Sequence, residues 1–136
     1  MKLDALSDFF ETLTPASLDQ FGDFYADTAW FKDPFNEVRG LPAIRRIFAH
    51  MFAQLTAPRF VVHEKVGAGE TAFITWTFHF QRGEQAMTIR GATHLRFDAA
   101  GKVTEHRDYW DAAEELYEKL PLLGTLMRLL RRRLAA

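Results

Sequence analysis

The chain has 136 residues, of which 48% are hydrophobic and 26% charged, a composition that indicates one globular domain and excludes a disordered chain. The formal net charge of −1 gives no reason to expect a nucleic-acid partner, and we predict none. There is no cysteine, which excludes disulfides, thiol nucleophiles and cysteine-ligated metals and is typical of a reducing compartment.

Neither targeting nor membrane-spanning segments are indicated. The N-terminal stretch MKLDALSDFFETL carries acidic residues and lacks the continuous apolar segment of a secretory signal. No apolar stretch approaches the ~20 residues that a membrane-spanning helix needs. We therefore expect a cytoplasmic protein.

The first third of the chain is predicted to be helical. Apolar residues recur at helical spacing from Leu3 to Leu13, and Thr14-Pro15 ends this helix and starts a second, whose apolar stripe is Leu18, Phe21, Phe24 and Tyr25. An extended segment from Thr28 to Lys32 then leads into an Asp33-Pro34 turn. A third amphipathic helix is predicted for GLPAIRRIFAHMFAQL.

After Pro58 the pattern changes from helical to alternating. It predicts four strands joined by short connections, at Arg59–Val66, Thr71–Phe80, Met87–Phe97 and Val103–Trp110. Short connections imply antiparallel pairing. Asp111, with Glu114 three residues on, is a plausible N-cap of a helix that runs to Leu120, and a further amphipathic segment follows Gly124.

This element order predicts an α+β fold with N-terminal helices packed on one face of a curved antiparallel sheet. We assign residues 1–120 to this domain and residues 121–136 to a separate basic amphipathic helix. A curved sheet covered by helices tends to leave a conical cavity between the two layers.

The last strand carries polar residues in the phase that would face this cavity. If Trp110 points inward, His106 and Asp108 point inward with it. The alternative is that EHRDYW forms ion pairs at a dimer surface, with Glu105 and Arg107 as partners. Buried polar groups are costly unless they are hydrogen-bonded or useful, and the aromatic ring in the same phase favours the cavity.

Asp33 is the second polar candidate, because it lies in AWFKDPF among three aromatic rings. An Asp-Pro pair commonly starts a turn, so Asp33 can be a turn cap. It can also be an acid or base in a dry pocket, where burial shifts the pKa. We favour the pocket carboxylate.

Metal and nucleotide sites have no support in the sequence. The five histidines form neither HExxH nor a close cluster, and there is no GxGxxG and no P-loop. We predict that the protein uses no cofactor and no metal.

TAWFKDPFNEVRGLPAIRRIF, followed by the meander with HLRFDAAGKV, resembles the nuclear transport factor 2-like (NTF2-like) superfamily, and within it the SnoaL-like and ketosteroid-isomerase-like group, over about residues 5–115. The resemblance implies a cone-shaped fold, an apolar pocket and a homodimer formed through the outer sheet face, with His94 at the interface. It does not fix a function, because this superfamily carries isomerases, hydrolases, cyclases and non-catalytic binders on one scaffold.

The resemblance also bears on individual residues. In ketosteroid isomerases the aspartate of the corresponding DP turn is the general base, which implies this role for Asp33. Their oxyanion-hole tyrosine and aspartate correspond to Phe9 and Thr93, so classical ketosteroid isomerase activity is not expected. Epoxide hydrolases of the limonene type use an Asp-Arg-Asp set, from which the sequence departs with Gly91 and Thr93.

We therefore expect an apolar pocket that binds a small hydrophobic, oxygenated molecule. Asp33 would act as the base of an isomerase or hydrolase, and His106 and Asp108 would relay or orient the proton. The predicted pocket residues are Trp30, Phe35, Phe48, Ile74, Trp76, Phe78, Thr93 and Trp110. The alternative is a non-catalytic module that binds a lipid or another small ligand.

The C-terminal segment LPLLGTLMRLLRRRLAA is predicted to be a basic amphipathic helix. Leu123, Leu126, Met127, Leu130 and Leu134 fall on one face, and Arg128, Arg131 and Arg132 on the other. Such a helix can lie on an anionic membrane surface, or its apolar face can close the pocket mouth or pack on a partner subunit.

Overall fold

The computed structural model describes residues 2–116 and 121–135, and it has the predicted α+β class, with helices on one face of a curved, open sheet. A 3₁₀ helix covers Pro15–Gln20, and the α-helices are α1 (Lys2–Glu11), α2 (Phe21–Phe24), α3 (Leu41–Gln54), α4 (Ala112–Glu115) and α5 (Pro121–Leu134). The strands are β1 (Tyr25–Lys32), β2 (Glu37–Arg39), β3 (Thr56–Ala68), β4 (Thr71–Arg82), β5 (Gln85–Phe97) and β6 (Val103–Tyr109).

The sheet has six strands rather than the four of the predicted meander, in the order β2-β1-β6-β5-β4-β3. The meander β3–β6 is antiparallel as predicted, and β1 adds to its β6 edge in parallel orientation. The short α2 ends at Phe24, and Tyr25 already has extended backbone angles. Tyr25 therefore belongs to a strand, and its predicted place in a helical stripe is wrong.

Two tight hairpins connect the long strands of the meander. Ala68 pairs with Thr71, and Arg82 pairs with Gln85, so each loop contains two residues. The first loop residue is a glycine in both cases, and Gly69 and Gly83 both have a φ of +61°. Glycine adopts this backbone region without steric cost, which explains how such short loops can reverse the chain.

The core lies between the inner sheet face and the helices. On β4 and β5 alternate side chains are buried, and they pack against the apolar sides of α1 and α3. The fully buried side chains include Leu6, Phe21, Tyr25, Phe31, Ile44, Ile74, Leu95 and Val103. Burying one such large apolar side chain contributes about 1.5–3 kcal/mol, so this layer supplies most of the driving force for folding.

The C-terminal region differs in part from its prediction. Asp111 is the predicted N-cap, since its side chain accepts a hydrogen bond from the Glu114 backbone N–H at 3.0 Å. The helix that it caps is α4, and residues 117–120 of the longer predicted helix lie outside the described part of the chain. The amphipathic helix α5 begins at Pro121, ahead of Gly124, because proline is well suited to the first helical turn.

Candidate functional site

A cavity of about 390 Å³ lies between the inner sheet face and α3. Its walls are mainly aromatic, and they come from β1, α3, the meander and the segment after β6. Lining residues include Phe31, Phe35, Phe48, Phe60, Trp76, Phe78, Phe80 and Trp110. Polar side chains also reach it, among them Asp33, Asn36, His50, Gln54, Arg82 and Asp108. A cavity of this size and composition suits a small, mostly apolar molecule.

A second space of about 20 Å³, the size of one water molecule, adjoins this cavity. Phe48, Phe60, Trp76 and Asp108 line both spaces. The smaller one is also lined by Thr93 and His106. Asp108 therefore lies where the apolar cavity meets a deeper polar cluster.

The polar cluster is centred on His106 in β6. Tyr25 Oη lies 2.6 Å from His106 Nδ1, and His106 Nε2 lies 2.7 Å from Asp108 Oδ1. Thr93 Oγ1 donates to the same Asp108 oxygen at 2.6 Å, and Trp76 Nε1 donates to Thr93 Oγ1 at 2.8 Å. The five side chains form one continuous hydrogen-bonded chain from β1 across β6 and β5 to β4.

The register of the sheet brings these residues together. His106 is paired with Phe31 of β1 on one side and with Leu95 of β5 on the other, and Asp108 is opposite Thr93. An irregularity between Arg96 and Phe97 shifts the register of β6. Because of this shift, Val103 and His106 are both buried although they are three residues apart.

The donors and acceptors in this hydrogen-bonded row of five side chains fit only one neutral tautomer of His106. Trp76 donates to Thr93, which leaves the Thr93 hydroxyl hydrogen for Asp108. Asp108 Oδ1 then accepts from both neighbours, so His106 Nε2 carries a hydrogen. In the neutral imidazole Nδ1 is an acceptor, and the Tyr25 hydroxyl donates to it.

Burial keeps the Tyr25 phenol protonated. The side chain is fully buried, and desolvation raises its pKa well above the usual value of 10.0. The negative charge of Asp108 raises this pKa further. Tyr25 therefore remains a hydrogen-bond donor over the whole physiological pH range.

The two carboxylate oxygens of Asp108 differ in their hydrogen bonding. Both hydrogen bonds described above end on Oδ1. Among the described residues, no hydrogen-bond donor is found for Oδ2. The side chain retains 17% of its exposure and borders the apolar cavity. Asp108 can thus accept a proton or a hydrogen bond from a molecule in the cavity.

Gly91 gives the Trp76 indole the room that it needs to reach Thr93. Gly91 is paired with Trp76 across the β4–β5 ladder. A Cβ atom at position 91 would lie 2.6 Å from Trp76 Cη2 and 3.0 Å from the Tyr109 carbonyl oxygen. A glycine here allows the indole to lie close against β5.

Asp33 occupies the cavity mouth with its carboxylate engaged in its own turn. Its Oδ1 accepts hydrogen bonds from the backbone N–H groups of Phe35 (2.8 Å) and Asn36 (2.7 Å). The Asn36 side-chain amide donates to both carboxylate oxygens. The register that pairs Phe31 with His106 would, if continued beyond β1, set Asp33 beside Asp108. Asp33 is thus a turn cap and a cavity-lining carboxylate at once.

The structure brings most of the predicted pocket residues to these two spaces. Phe35, Phe48, Trp76, Phe78 and Trp110 line the larger one, and Ile74 and Thr93 line the smaller one. Trp30 lines neither of them, because it alternates with the buried Phe31 and lies on the other face of β1. There its indole N–H donates to Glu37 Oε2 at 3.1 Å, and this bond lowers the Glu37 pKa.

The contacts of β6 show which of its side chains face the interior and which form ion pairs on the outer surface. His106 and Asp108 face the interior, whereas Glu105 forms its ion pair with Arg96 at 3.2 Å on the outer face. Arg107 lies over the Tyr109 ring at 4.6 Å, also outside. The strand therefore separates an interior polar pair from an exterior charged set.

Sequence reasoning missed Tyr25, which completes the cluster. The usable signal was chemical, because a buried tyrosine needs a partner for its hydroxyl group and the predicted helical stripe offered none. No group of three or more potential metal ligands is found within the described ranges 2–116 and 121–135. The site is therefore built from hydrogen bonds between side chains.

Comparisons with known proteins agree with this architecture. A SnoaL-like domain model matches residues 6–106, and the chain belongs to the SnoaL-like family of the NTF2-like superfamily. A comparison with curated proteins gave no match.

Several solved structures share the fold at low sequence identity. An NTF2-like protein of unknown function from Exiguobacterium sp. 255-15 is 19% identical, with a TM-score of 0.71, over 82% of this chain and 98% of the other. An LEH-like epoxide hydrolase from Mycobacterium tuberculosis is 18% identical (TM-score 0.72, 96% of each chain). A candidate SnoaL-like polyketide cyclase from Jannaschia sp. CCS1 is 14% identical (TM-score 0.72, 83% and 87%). These similarities establish the fold, and they leave the chemistry to the residues of the site.

Proposed function

We propose that the cavity binds a small hydrophobic, oxygenated molecule and that Asp108 acts on it as a general base. The observation that carries this proposal is the placement of one carboxylate between an aromatic cavity and a polar cluster. Asp108 Oδ1 is fixed by Thr93 and His106, which leaves Oδ2 for the ligand. A base held in one orientation within hydrogen-bond reach of a bound proton is the arrangement that general base catalysis needs.

Asp108 is a better base than Asp33 on geometric grounds. The sequence led us to expect the base at Asp33, but both of its carboxylate oxygens accept hydrogen bonds from its own turn. A ligand would have to compete with the Asn36 amide for Asp33 Oδ2, whereas no described donor occupies Asp108 Oδ2. We assign Asp33 to the shape and polarity of the cavity mouth.

The remaining members of the cluster would orient Asp108 and stabilise its carboxylate through hydrogen bonds. His106 donates through Nε2 to the carboxylate, and Tyr25 holds the opposite ring nitrogen. When Asp108 accepts a proton, it loses negative charge, and no buried charge is left without a partner. A developing negative charge on the ligand oxygen needs donors, and Gln54 and Arg82 line the same cavity.

The direct test is proton exchange on a ketone that fits the cavity. With 2-tetralone in D₂O, proton NMR measures how fast the α-protons exchange in the presence of the protein. We expect the intact protein to accelerate exchange, and Asp108→Asn to reduce the acceleration by about 10²–10⁴-fold, the usual contribution of a positioned base.

Two variants provide the controls for this test. Asp19→Asn removes an exposed carboxylate outside the cavity and should leave exchange unchanged. Asp33→Asn keeps an oxygen acceptor for its turn and should retain most of the activity. Loss of exchange in Asp33→Asn, with Asp108→Asn unaffected, would return the base to Asp33. Circular dichroism would verify that each variant is folded.

A second candidate function is binding without chemistry, and the aromatic walls of the cavity favour it. Eight aromatic side chains line the larger space against two carboxylates. Such a surface binds apolar molecules well whether or not a base acts on them. Quenching of Trp76 and Trp110 fluorescence by 2-tetralone, together with exchange at the rate of buffer alone, would support this candidate and reject catalysis on ketones.

A further inference from the structure

We propose that α5 binds the surface of an anionic lipid bilayer and thereby attaches the protein to membranes. Its exposed face is unusually apolar for a helix in water. The exposed fractions are 50% for Leu126, 47% for Leu129, 44% for Leu130 and 86% for Leu134. Among the described residues, none from α5 belongs to the hydrophobic core or packs against it. An exposed apolar face of this kind is typical of a surface that contacts a membrane or another molecule.

The positive charge of residues 121–136 indicates a negatively charged partner. Residues 121–136 contain four arginines and no acidic residue, whereas the other 120 residues contain 13 basic and 18 acidic residues. The segment thus carries +4 and the rest of the chain −5. Arg128, Arg131, Arg132 and Arg133 are exposed. A protein that is otherwise acidic has one strongly basic element, and the partner that fits it is negatively charged.

The spacing along the helix combines both properties in one surface. At 100° per residue, Arg128 and Arg132 lie opposite the line of Leu123, Leu126, Leu130 and Leu134, and Arg131 and Arg133 flank this line on its two sides. A helix that lies in the bilayer interface inserts its apolar face among the acyl chains while its arginines reach the phosphate groups. No described helix is long and apolar enough to cross a membrane.

Attachment through α5 would bring the cavity close to the bilayer. Leu116 lines the cavity, and Pro121 begins α5 five residues later. Five residues span at most about 18 Å even when fully extended. The start of α5 is therefore within about half a bilayer thickness of the cavity lining. Membrane attachment does not require that the cavity be catalytic, and it places a ligand site beside a reservoir of apolar molecules.

Vesicle flotation of the full chain tests this proposal. The vesicles are phosphatidylcholine alone, or phosphatidylcholine with about 30% phosphatidylglycerol to supply negative charge. We expect binding to the anionic vesicles only, weakened strongly between about 0.02 M and about 0.5 M salt because surface charges are screened. Each arginine near the surface contributes roughly fivefold in affinity, so the triple variant R128Q/R131Q/R132Q should bind about a hundredfold more weakly.

A matched variant separates the helix from overall charge. R46Q/R59Q/R96Q removes the same number of charges from exposed positions of the folded domain and should bind anionic vesicles no more weakly than the intact chain. Equal losses in the two triple variants would overturn the assignment to α5, as would failure of the intact chain to bind anionic vesicles at low salt.

The leucines supply a second, independent test. L126S/L130S keeps every arginine and should lose most of the binding, because the apolar face inserts among the acyl chains. If this variant binds anionic vesicles as the intact chain does, the apolar insertion is wrong. If it instead changes the oligomeric mass in sedimentation and the intact chain ignores vesicles, a second copy covers α5 and the membrane proposal fails.

Discussion

Tyr25 shows how one hydroxyl group sets the state of a whole cluster. Its hydrogen bond to His106 Nδ1 leaves the other ring nitrogen to donate to Asp108. Removing the hydroxyl leaves a buried acceptor without a partner, which costs about 1–3 kcal/mol. The orientation of the carboxylate at the cavity thus depends on a residue that does not line the cavity.

The Tyr25 phenol makes a testable contribution to alkaline stability. Its folded pKa is raised above the unfolded value of about 10. The contribution of the Tyr25 phenol to the free energy of unfolding is therefore fully present below about pH 10. It is lost as the pH rises through the folded pKa, at about 1.4 kcal/mol per pH unit. Tyr25→Phe has no such proton to lose.

We expect Tyr25→Phe to be less stable than the wild type at about pH 8 by about 1–3 kcal/mol, and to lose stability more slowly above about pH 10. Urea unfolding from about pH 8 to about pH 11 measures both effects. The comparison below about pH 10 is the internal control, since there the two curves should be parallel. Parallel curves over the whole range would contradict a buried, protonated Tyr25.

At the level of elements, the close contact of β4 and β5 positions the polar cluster. The Trp76 indole lies against the backbone at Gly91 and donates to Thr93. Thr93 in turn holds Asp108 of β6. The position of the Trp76 ring therefore affects the position of the candidate base Asp108, through hydrogen bonds that cross the β4–β5 and β5–β6 pairs.

Gly91→Ala should disturb this arrangement without changing any member of the cluster. The added Cβ would approach Trp76 Cη2 to 2.6 Å, so the indole must shift and its hydrogen bond to Thr93 is lost. Overpacking of this kind costs about 1–3 kcal/mol. We expect a lower urea midpoint, an altered Trp fluorescence spectrum and weaker ketone exchange.

Gly67→Ala is the matched control for this prediction. The new Cβ would meet Leu3 of α1 and Thr71 and Ala72 of β4 at 3.7 Å or more, which is ordinary van der Waals contact. Its stability should stay within about 0.5 kcal/mol of the wild type. If Gly91→Ala is equally harmless, Trp76 does not depend on the glycine.

At the level of the whole molecule, the two faces of the sheet serve different purposes. The inner face forms the core and the cavity, and the outer face carries exposed apolar side chains. Val66 is 64% exposed, and Phe73 and Tyr109 are each 47% exposed. Val66 pairs with Phe73, and Phe73 with His94, whose ring stacks on it at 4.4 Å. A row of this kind is suited to contact with another subunit.

We expect the protein to form a homodimer through this outer face. Phe73→Glu introduces a charge at its centre, and burying an unpaired charge in an interface costs several kcal/mol. Sedimentation velocity should show a dimer for the wild type and a folded monomer for this variant. Phe35→Glu, which changes another exposed ring at the cavity mouth, should remain dimeric. A wild type that is monomeric at every concentration would contradict the prediction.

Much of the fold and part of the site were predictable because they depend on local patterns. Alternation in β4 and β5 sorted Trp76, Phe78 and Thr93 onto the inner face, and the aromatic Trp110 indicated that His106 and Asp108 share it. Trp30 was predicted to line the cavity, but it alternates with the buried Phe31, and neighbouring residues in a strand point in opposite directions. Its indole bonds to Glu37 instead.

The class of fold, the meander, the apolar wall of the cavity and the charge of α5 could all be predicted from the sequence, because each follows from the spacing or the composition of a continuous segment. The folded structure was needed to show that β1 joins the sheet beside β6 and that Tyr25 contacts His106, 81 residues away. It also shows that the Asp33 carboxylate is held by its own turn, and that Asp108 lines the cavity with its described hydrogen bonds on Oδ1 alone. The physical reason is that a hydrogen bond between distant residues depends on strand register and on bulges, which the packing of the complete sheet sets.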